Sequence, residues 1–313
     1  MQEIDNDNME KLVLTEDMFE PLDMDTVDEE FTQQTKSIWW KIAHHLKENK
    51  LALICFIILL IIILASLLAP LSPYDPDKID VINKLQPADK EHWFGTDEMG
   101  RDQFTRALYG GRVSLLVAFS SMVISVAVGT LIGTISGYIG GKLDMIIMRC
   151  IDIIMSIPSF LLIVVLNAFI SPSLSTLVLL ISLFGWMSVA RIIRAETLSL
   201  KERDFILASH GLGSSGIRII FNHLIPNTMS SLIVAASLAV AKAILTESAL
   251  SFLNFGVQLP LASWGSMLKN AQDYILDQPM LAIYPGMLIL LTVLSFNILG
   301  DTLRSALEPR QTK

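Results

Sequence analysis

Apolar residues along this chain gather into long unbroken runs, with polar segments between them. Leu51–Leu71 is almost wholly Leu, Ile and Ala, and further runs cover about Val113–Tyr138, Leu143–Phe169, Leu174–Ile193, Met229–Leu250 and Ile283–Leu303. A helix rises about 1.5 Å per residue, so some 20 apolar residues cross a hydrocarbon layer of about 30 Å. Each run reaches that length. The pattern predicts an all-α integral membrane protein with six transmembrane helices. Six crossings put both termini on one side of the membrane, together with the polar stretch Ser199–Asn227.

Composition agrees with this class. Hydrophobic residues make up 52% of the 313 and charged ones 17%, well under the usual quarter of a soluble protein. Much of the formal charge of −8 sits in residues 1–37, rich in Asp and Glu and almost free of Lys and Arg, which reads as a solvated, disordered tail. Residues 38–50 then turn basic and aromatic, with Trp39, Trp40, Lys41, His44, His45, Lys47 and Lys50, as suits a membrane interface. Cys55 and Cys150 lie in or beside apolar runs and far apart, so neither a disulfide framework nor a metal site is expected. No basic stripe of the kind that binds nucleic acid is present.

Basic residues choose the side. Lys47, Lys50, Lys142, Arg149, Arg191, Arg194, Lys201, Arg203, Arg218 and Arg304 share one face, which makes both termini and Ser199–Asn227 cytoplasmic. The external segment 72–112 departs from the rule, with Lys78, Lys84, Lys90, Arg101, Arg106 and Arg112. Within it Phe104 and Leu108 are one helical turn apart, while Arg101, Asp102 and Arg106 face water, so a short amphipathic helix on the membrane surface is expected.

Inside the core region 113–303 several positions stand out. Ser121, Ser125, Gly129, Gly133, Gly137 and Gly141 recur every fourth residue and make a groove where a second helix backbone can approach. Gly137–Leu143 resembles a phosphate loop only superficially: Ser136 stands where the first glycine belongs, and Leu143 follows the lysine. Asp152 sits one turn from Arg149, and Pro158 is expected to kink the third run. Lys242 and Glu247 fall within an apolar run and must face protein or water. For Glu247 two readings stand: a residue of the route or gate, and a hydrogen-bonded structural carboxylate. Asn297 and Asp301 share a helix face suited to inter-helix hydrogen bonds.

The polar stretch is the most informative. Asp204-Phe205-Ile206-Leu207-Ala208-Ser209 precedes Gly211 and Gly213, and a second amphipathic run with Arg218 ends at Pro226, which can open the next helix. A helix, a glycine turn and a helix on a membrane domain are shaped to dock into another protein. An ordinary connecting loop is the plain alternative.

These residues resemble the EAA loop of bacterial ABC-importer permeases: Glu-Ala-Ala, three residues, Gly, nine residues, Ile-x-Leu-Pro. Leu207-Ala208-Ser209, Gly213 and His223-Leu224-Ile225-Pro226 hold both spacings, with Leu207, Ser209 and His223 as the departures. His92–Asp97, Gly100-Arg101-Asp102, Thr105-Arg106 and Pro260–Gly265 narrow the likeness to the oligopeptide/dipeptide/nickel branch, over about Lys41 to Pro309. The resemblance implies an ABC type I importer permease fold with a cytoplasmic coupling helix in a bacterial plasma membrane. It implies a non-enzymatic subunit beside a second related permease, two ABC ATPase subunits that hold the ATP and Mg, and an external binding protein delivering peptide. No cofactor is expected on this chain.

By that resemblance Asp204, Ala208, Ser209, Gly213, Arg218 and Pro226 are the coupling residues, and Arg101, Asp102 and Trp264 contacts for the external partner. Oligopeptides are the favoured cargo, with dipeptides or nickel as alternatives. A proton-coupled secondary transporter using Lys242 and Glu247 as relay groups is the reading outside the family.

Overall fold

The computed structural model describes residues 38–170 and 173–307, so the acidic segment 1–37 and the stretch beyond Leu307 lie outside the described residues. Residues 1–41 and 42–313 form separate units, and the membrane-crossing helices all belong to the second. The described chain is helical. In order it contains α1 (Ile38–Glu48), α2 (Lys50–Leu67), α3 (Gln103–Ile139), α4 (Gly141–Met155), α5 (Ser159–Asn167), α6 (Leu174–Leu200), α7 (Asp204–Gly211), α8 (Met229–Phe252), α9 (Trp264–Ala271) and α10 (Met280–Leu307), besides single turns.

Five helices, α2, α3, α6, α8 and α10, are each long and apolar enough to cross a membrane, and α4 with α5 make a sixth crossing if that pair counts as one span. The third expected span is therefore a broken one. Its two halves meet at 74° across Ser156–Pro158, as the proline at the break predicts. The second span is longer than expected. Helix α3 starts at Gln103, with the Asp102 carboxylate accepting the Thr105 amide at 2.7 Å, and runs 37 residues, about 55 Å. The separate surface helix expected around Phe104 and Leu108 does not exist. Those residues form the first turns of α3, where Arg106 is only 2% exposed.

The most extensive helix pairing is α3 with α6, and the small-residue stripe is what allows it. A Cβ on Gly133 would lie 2.5 Å from the Ala190 carbonyl oxygen, and one on Gly129 2.7 Å from that of Trp186. A Cβ on Gly137 would meet Thr197 at 2.9 Å, and one on Gly185 would meet the Ser125 hydroxyl at 2.5 Å. The groove expected from the sequence is thus filled by α6. Gly141 does not belong to it, because Gly140 and Gly141 both have positive φ and turn the chain into α4. Helices α8 and α10 close the core against α3, with Leu115, Val117, Leu177, Ile181, Val240, Ile244 and Phe296 buried among them. Helix α2 lies outside, packed on α10 and α3, and is capped by Asn49, whose side chain accepts the Leu51 and Ala52 amides.

Two ion pairs tie α4 to α6. Arg194 grips Asp144 through both Nε and Nη2, and the Ser136 hydroxyl donates to the same carboxylate at 2.5 Å. Asp152 pairs with Arg191 of α6 and not with Arg149, its expected neighbour. The tertiary partner prevails because the close α3–α6 packing brings Arg191 alongside α4.

Gly133→Val should break the α3–α6 contact, since the crowded atom is a backbone oxygen that cannot swing aside; overpacking of this kind costs about 1–3 kcal/mol or more. Gly211→Ala, with no atom within 4 Å of the new methyl, should be neutral or mildly stabilising. Melting of the detergent-purified protein, followed by size-exclusion after a temperature series, separates the two.

Candidate functional site

The stretch after α6 folds into a knob with a core of its own. Arg203 is extended, Asp204 opens α7 where an acidic side chain complements the helix N-terminus, and Leu212 ends the helix. Gly213 then takes φ +80°, a conformation that costs any other L-residue about 1–2 kcal/mol. Ser215 caps the return by accepting the Arg218 amide at 3.4 Å. The return leg is a turn of α-helix at Gly216–Ile219, a π-helical turn at Ile220–Leu224 and a last turn at Ile225–Asn227 with Pro226 at its start. Leu200, Ile206, Ile219, Ile220 and Leu224 are buried together, with Tyr138 from the end of α3 packed on them. The knob is therefore seated on the end of the longest helix.

Its surface carries several large apolar side chains. Leu212 is 88% exposed, Ile217 73%, Leu207 57% and Phe221 54%, with Phe205 beside them. Asp204, Ala208, Gly213, Arg218 and Pro226 are exposed on the same knob, while Ser209 is half-buried. Ser209 and His223, both departures from the motif, face each other, Oγ to Nε2 at 3.4 Å. Asn227 donates its side-chain amide to the His223 carbonyl at 2.6 Å.

At the opposite end the residues 72–112 form a charged cap on the first turns of α3. Asp97 accepts from Arg101 Nε at 2.7 Å and lies 3.4 Å from Arg106 Nε. Arg106 also donates to the Pro76 carbonyl at 2.8 Å, and Asp102 pairs with His92 at 2.8 Å. Trp264 is fully buried, its indole donating to the Ala107 carbonyl at 3.0 Å. Arg101 and Asp102 are 4% and 5% exposed. These three residues, expected as contacts for an external partner, instead hold the cap together. A buried guanidinium or carboxylate needs its partners inside the fold, and each of them has found one. Glu98 accepts from Arg101 at 3.0 Å and from Asn270 at 3.1 Å; burial, and then the neighbouring Asp97 charge, push its carboxyl above the usual range.

Glu247 is also enclosed. Its carboxylate accepts from Ser251 at 2.7 Å, Ser114 at 2.9 Å and Ser248 at 3.4 Å, with no exposed surface. Ser114 in turn accepts the Trp264 amide at 3.3 Å, so the carboxylate joins α3, α8 and the start of α9. In this structure it lines no route, and of the two readings the hydrogen-bonded structural one fits its position. Lys242 lies elsewhere. With Thr246 it borders a cavity of about 180 Å³ between α3, α5, α6 and α8, otherwise lined by serines and apolar side chains.

The fold and the knob agree with what the chain resembles among known proteins. Residues 129–313 match the model of the binding-protein-dependent transport system inner membrane component, and residues 37–88 the N-terminal transmembrane domain of oligopeptide transport permease C. The chain belongs to this permease family. The oligopeptide transport system permease protein OppC of Bacillus subtilis strain 168 is 37% identical over 302 residues, 96% of this chain and 99% of that one. The dipeptide transport system permease protein DppC of Alkalihalophilus pseudofirmus is 41% identical over 277 residues, 88% and 90% of the two chains. A solved structure of the MetNI methionine ABC transporter in an inward-facing conformation superposes with TM-score 0.55 at 19% identity, covering 65% of this chain and 97% of that one. That likeness speaks for the fold alone. The permease is thus a multi-pass membrane protein with a type I importer fold.

Sequence reasoning missed two features of the permease. The Asp144–Arg194 pair has no local signal, since its members are 50 residues apart. The Asn167 side chain, which donates to the Phe255 carbonyl, reads as an ordinary polar residue at a span end.

Because the Glu98 pKa is raised on folding, its contribution to stability is fully present below the ordinary carboxylate value and is lost as pH rises through the raised one. Glu98→Gln should flatten that loss in pH-dependent melting of the purified permease. Glu247→Gln puts an amide donor among three hydroxyl donors and should destabilise by about 1–3 kcal/mol, read by the same melting assay.

Proposed function

We propose that this permease forms half of the translocation path of an ATP-driven importer for peptides. The second half is a related permease, two ABC ATPase subunits carry the ATP and Mg, and an external binding protein delivers the cargo. This chain binds no nucleotide and no cofactor and performs no catalysis. The single observation that carries the reading is the knob: a separately cored element that leaves large apolar side chains exposed in the isolated chain. Seated in a groove of an ATPase subunit on the cytoplasmic side, with both termini on that side, it moves when nucleotide draws the ATPases together. Tyr138 passes the movement to α3, and the tight α3–α6 contact carries α6 along. The two permeases then alternate between inward and outward openings.

Asp204, Ala208, Ser209, Gly213, Arg218 and Pro226 are the coupling residues in this scheme, with Ala208 and Gly213 giving close approach and Ser209 holding the two legs together through His223. Oligopeptides are favoured by the OppC relative, which covers 96% of this chain, and the dipeptide permease keeps shorter peptides as the second reading. Nickel is disfavoured, because the charged side chain lining the cavity, Lys242, is a cation. A proton relay through Lys242 and Glu247 is disfavoured by the enclosure of Glu247 away from that cavity.

In the assembled transporter in proteoliposomes, Gly213→Val should leave the spans folded and reduce both peptide uptake and cargo-stimulated ATP hydrolysis at least tenfold. Full stimulation by the variant, or uptake sustained by a proton gradient without ATP, would defeat the coupling role.

A further inference from the structure

Lys242 is the fourteenth residue of the 24 in α8, about 20 Å from one end of the helix and about 15 Å from the other. It therefore sits at the depth of the hydrocarbon core, yet its side chain is exposed. Among the described residues no carboxylate forms an ion pair with it. A solitary ammonium at that depth is not tolerated against lipid, so this flank of α8 faces water or protein. The cavity it borders carries the hydroxyls of Ser159, Ser188 and Thr246 beside the apolar Met122, Phe184 and Leu238. Its volume is about 180 Å³, where roughly 10–15 Å³ holds one water. It has room for the end of a peptide.

We propose that Lys242 and the hydroxyls around it hold the carboxylate end of a peptide in transit. This rests on the peptide-importer reading and deepens it. A free peptide carries an ammonium at one end and a carboxylate at the other, and both lose hydration between two permeases. The cation repels the first and neutralises the second. Serine hydroxyls supply further donors, while the apolar walls take the terminal side chain without regard to its sequence. Thr246 spends its hydroxyl proton on the Lys242 carbonyl at 2.8 Å, so the free donors beside the ammonium are those of Ser159 and Ser188.

The test uses the complete transporter in proteoliposomes and two radiolabelled peptides with uncharged side chains, alike except that one ends in a carboxylate and the other in an amide, chosen so that the wild type imports both. Lys242→Met should lower uptake of the acid at least tenfold and of the amide less than twofold, while Lys242→Arg keeps the acid near the wild-type rate. ATP hydrolysis stimulated by the loaded binding protein, measured alongside, should survive in both variants, which separates this effect from misfolding. Equal loss of the two peptides would assign Lys242 to a contact with the second permease and overturn the proposal, as would no loss of either. If the wild type imports no peptide at all, the peptide reading itself fails, an outcome distinct from the other two.

Discussion

The close approach of α3 and α6 is the constraint on which the rest of the permease depends. Lipid tails are as apolar as leucine, so helices in a membrane gain little from hiding aliphatic surface and must gain from contact. Glycines at 129, 133 and 137 let one backbone lie against another, and the gain is dispersion along the whole shared length. That contact sets where Arg191 and Arg194 stand, and hence where α4 is tied down through Asp144 and Asp152. It also leaves the space between α5, α6 and α8 that becomes the cavity.

The two ends of the molecule are built on different physics. The knob is an aliphatic miniature core that leaves large apolar side chains on its surface. The cap over the start of α3 is a network of buried charge in which Asp97, Arg101 and Arg106 satisfy one another. Buried ions of this sort hold one arrangement by the penalty of leaving any member unpaired.

Most of the architecture was legible in the chain itself. Run length alone marks the crossings, the four-residue repeat of small side chains marks the tightest packing, and Pro158 marks the break between α4 and α5. Glycine spacing likewise exposed the knob, because a left-handed turn between two helical legs needs Gly213 or something equally unencumbered. The failures share one cause. Arg101, Asp102, Arg106 and Trp264 sit in loops or at a helix start, where polar and aromatic residues ordinarily face solvent, and no period in the sequence reveals that residues distant along the chain fold over them. Asp152 failed in the same way, its nearest basic neighbour in sequence losing to one on α6. Charge pairing across long separations is decided by tertiary geometry, and the linear order of residues carries no trace of it.

Helix α3 has a property that comes from its length. It begins under the charged cap and ends at Tyr138, beneath the knob, as one uninterrupted rod of about 55 Å. Such a rod acts as a lever. A tilt of roughly 5° about one end swings the other through roughly 5 Å, a full helical pitch. The two ends of the permease are then geared to each other by a single continuous helix, and no chain of loosely linked residues is needed to carry news of one to the other.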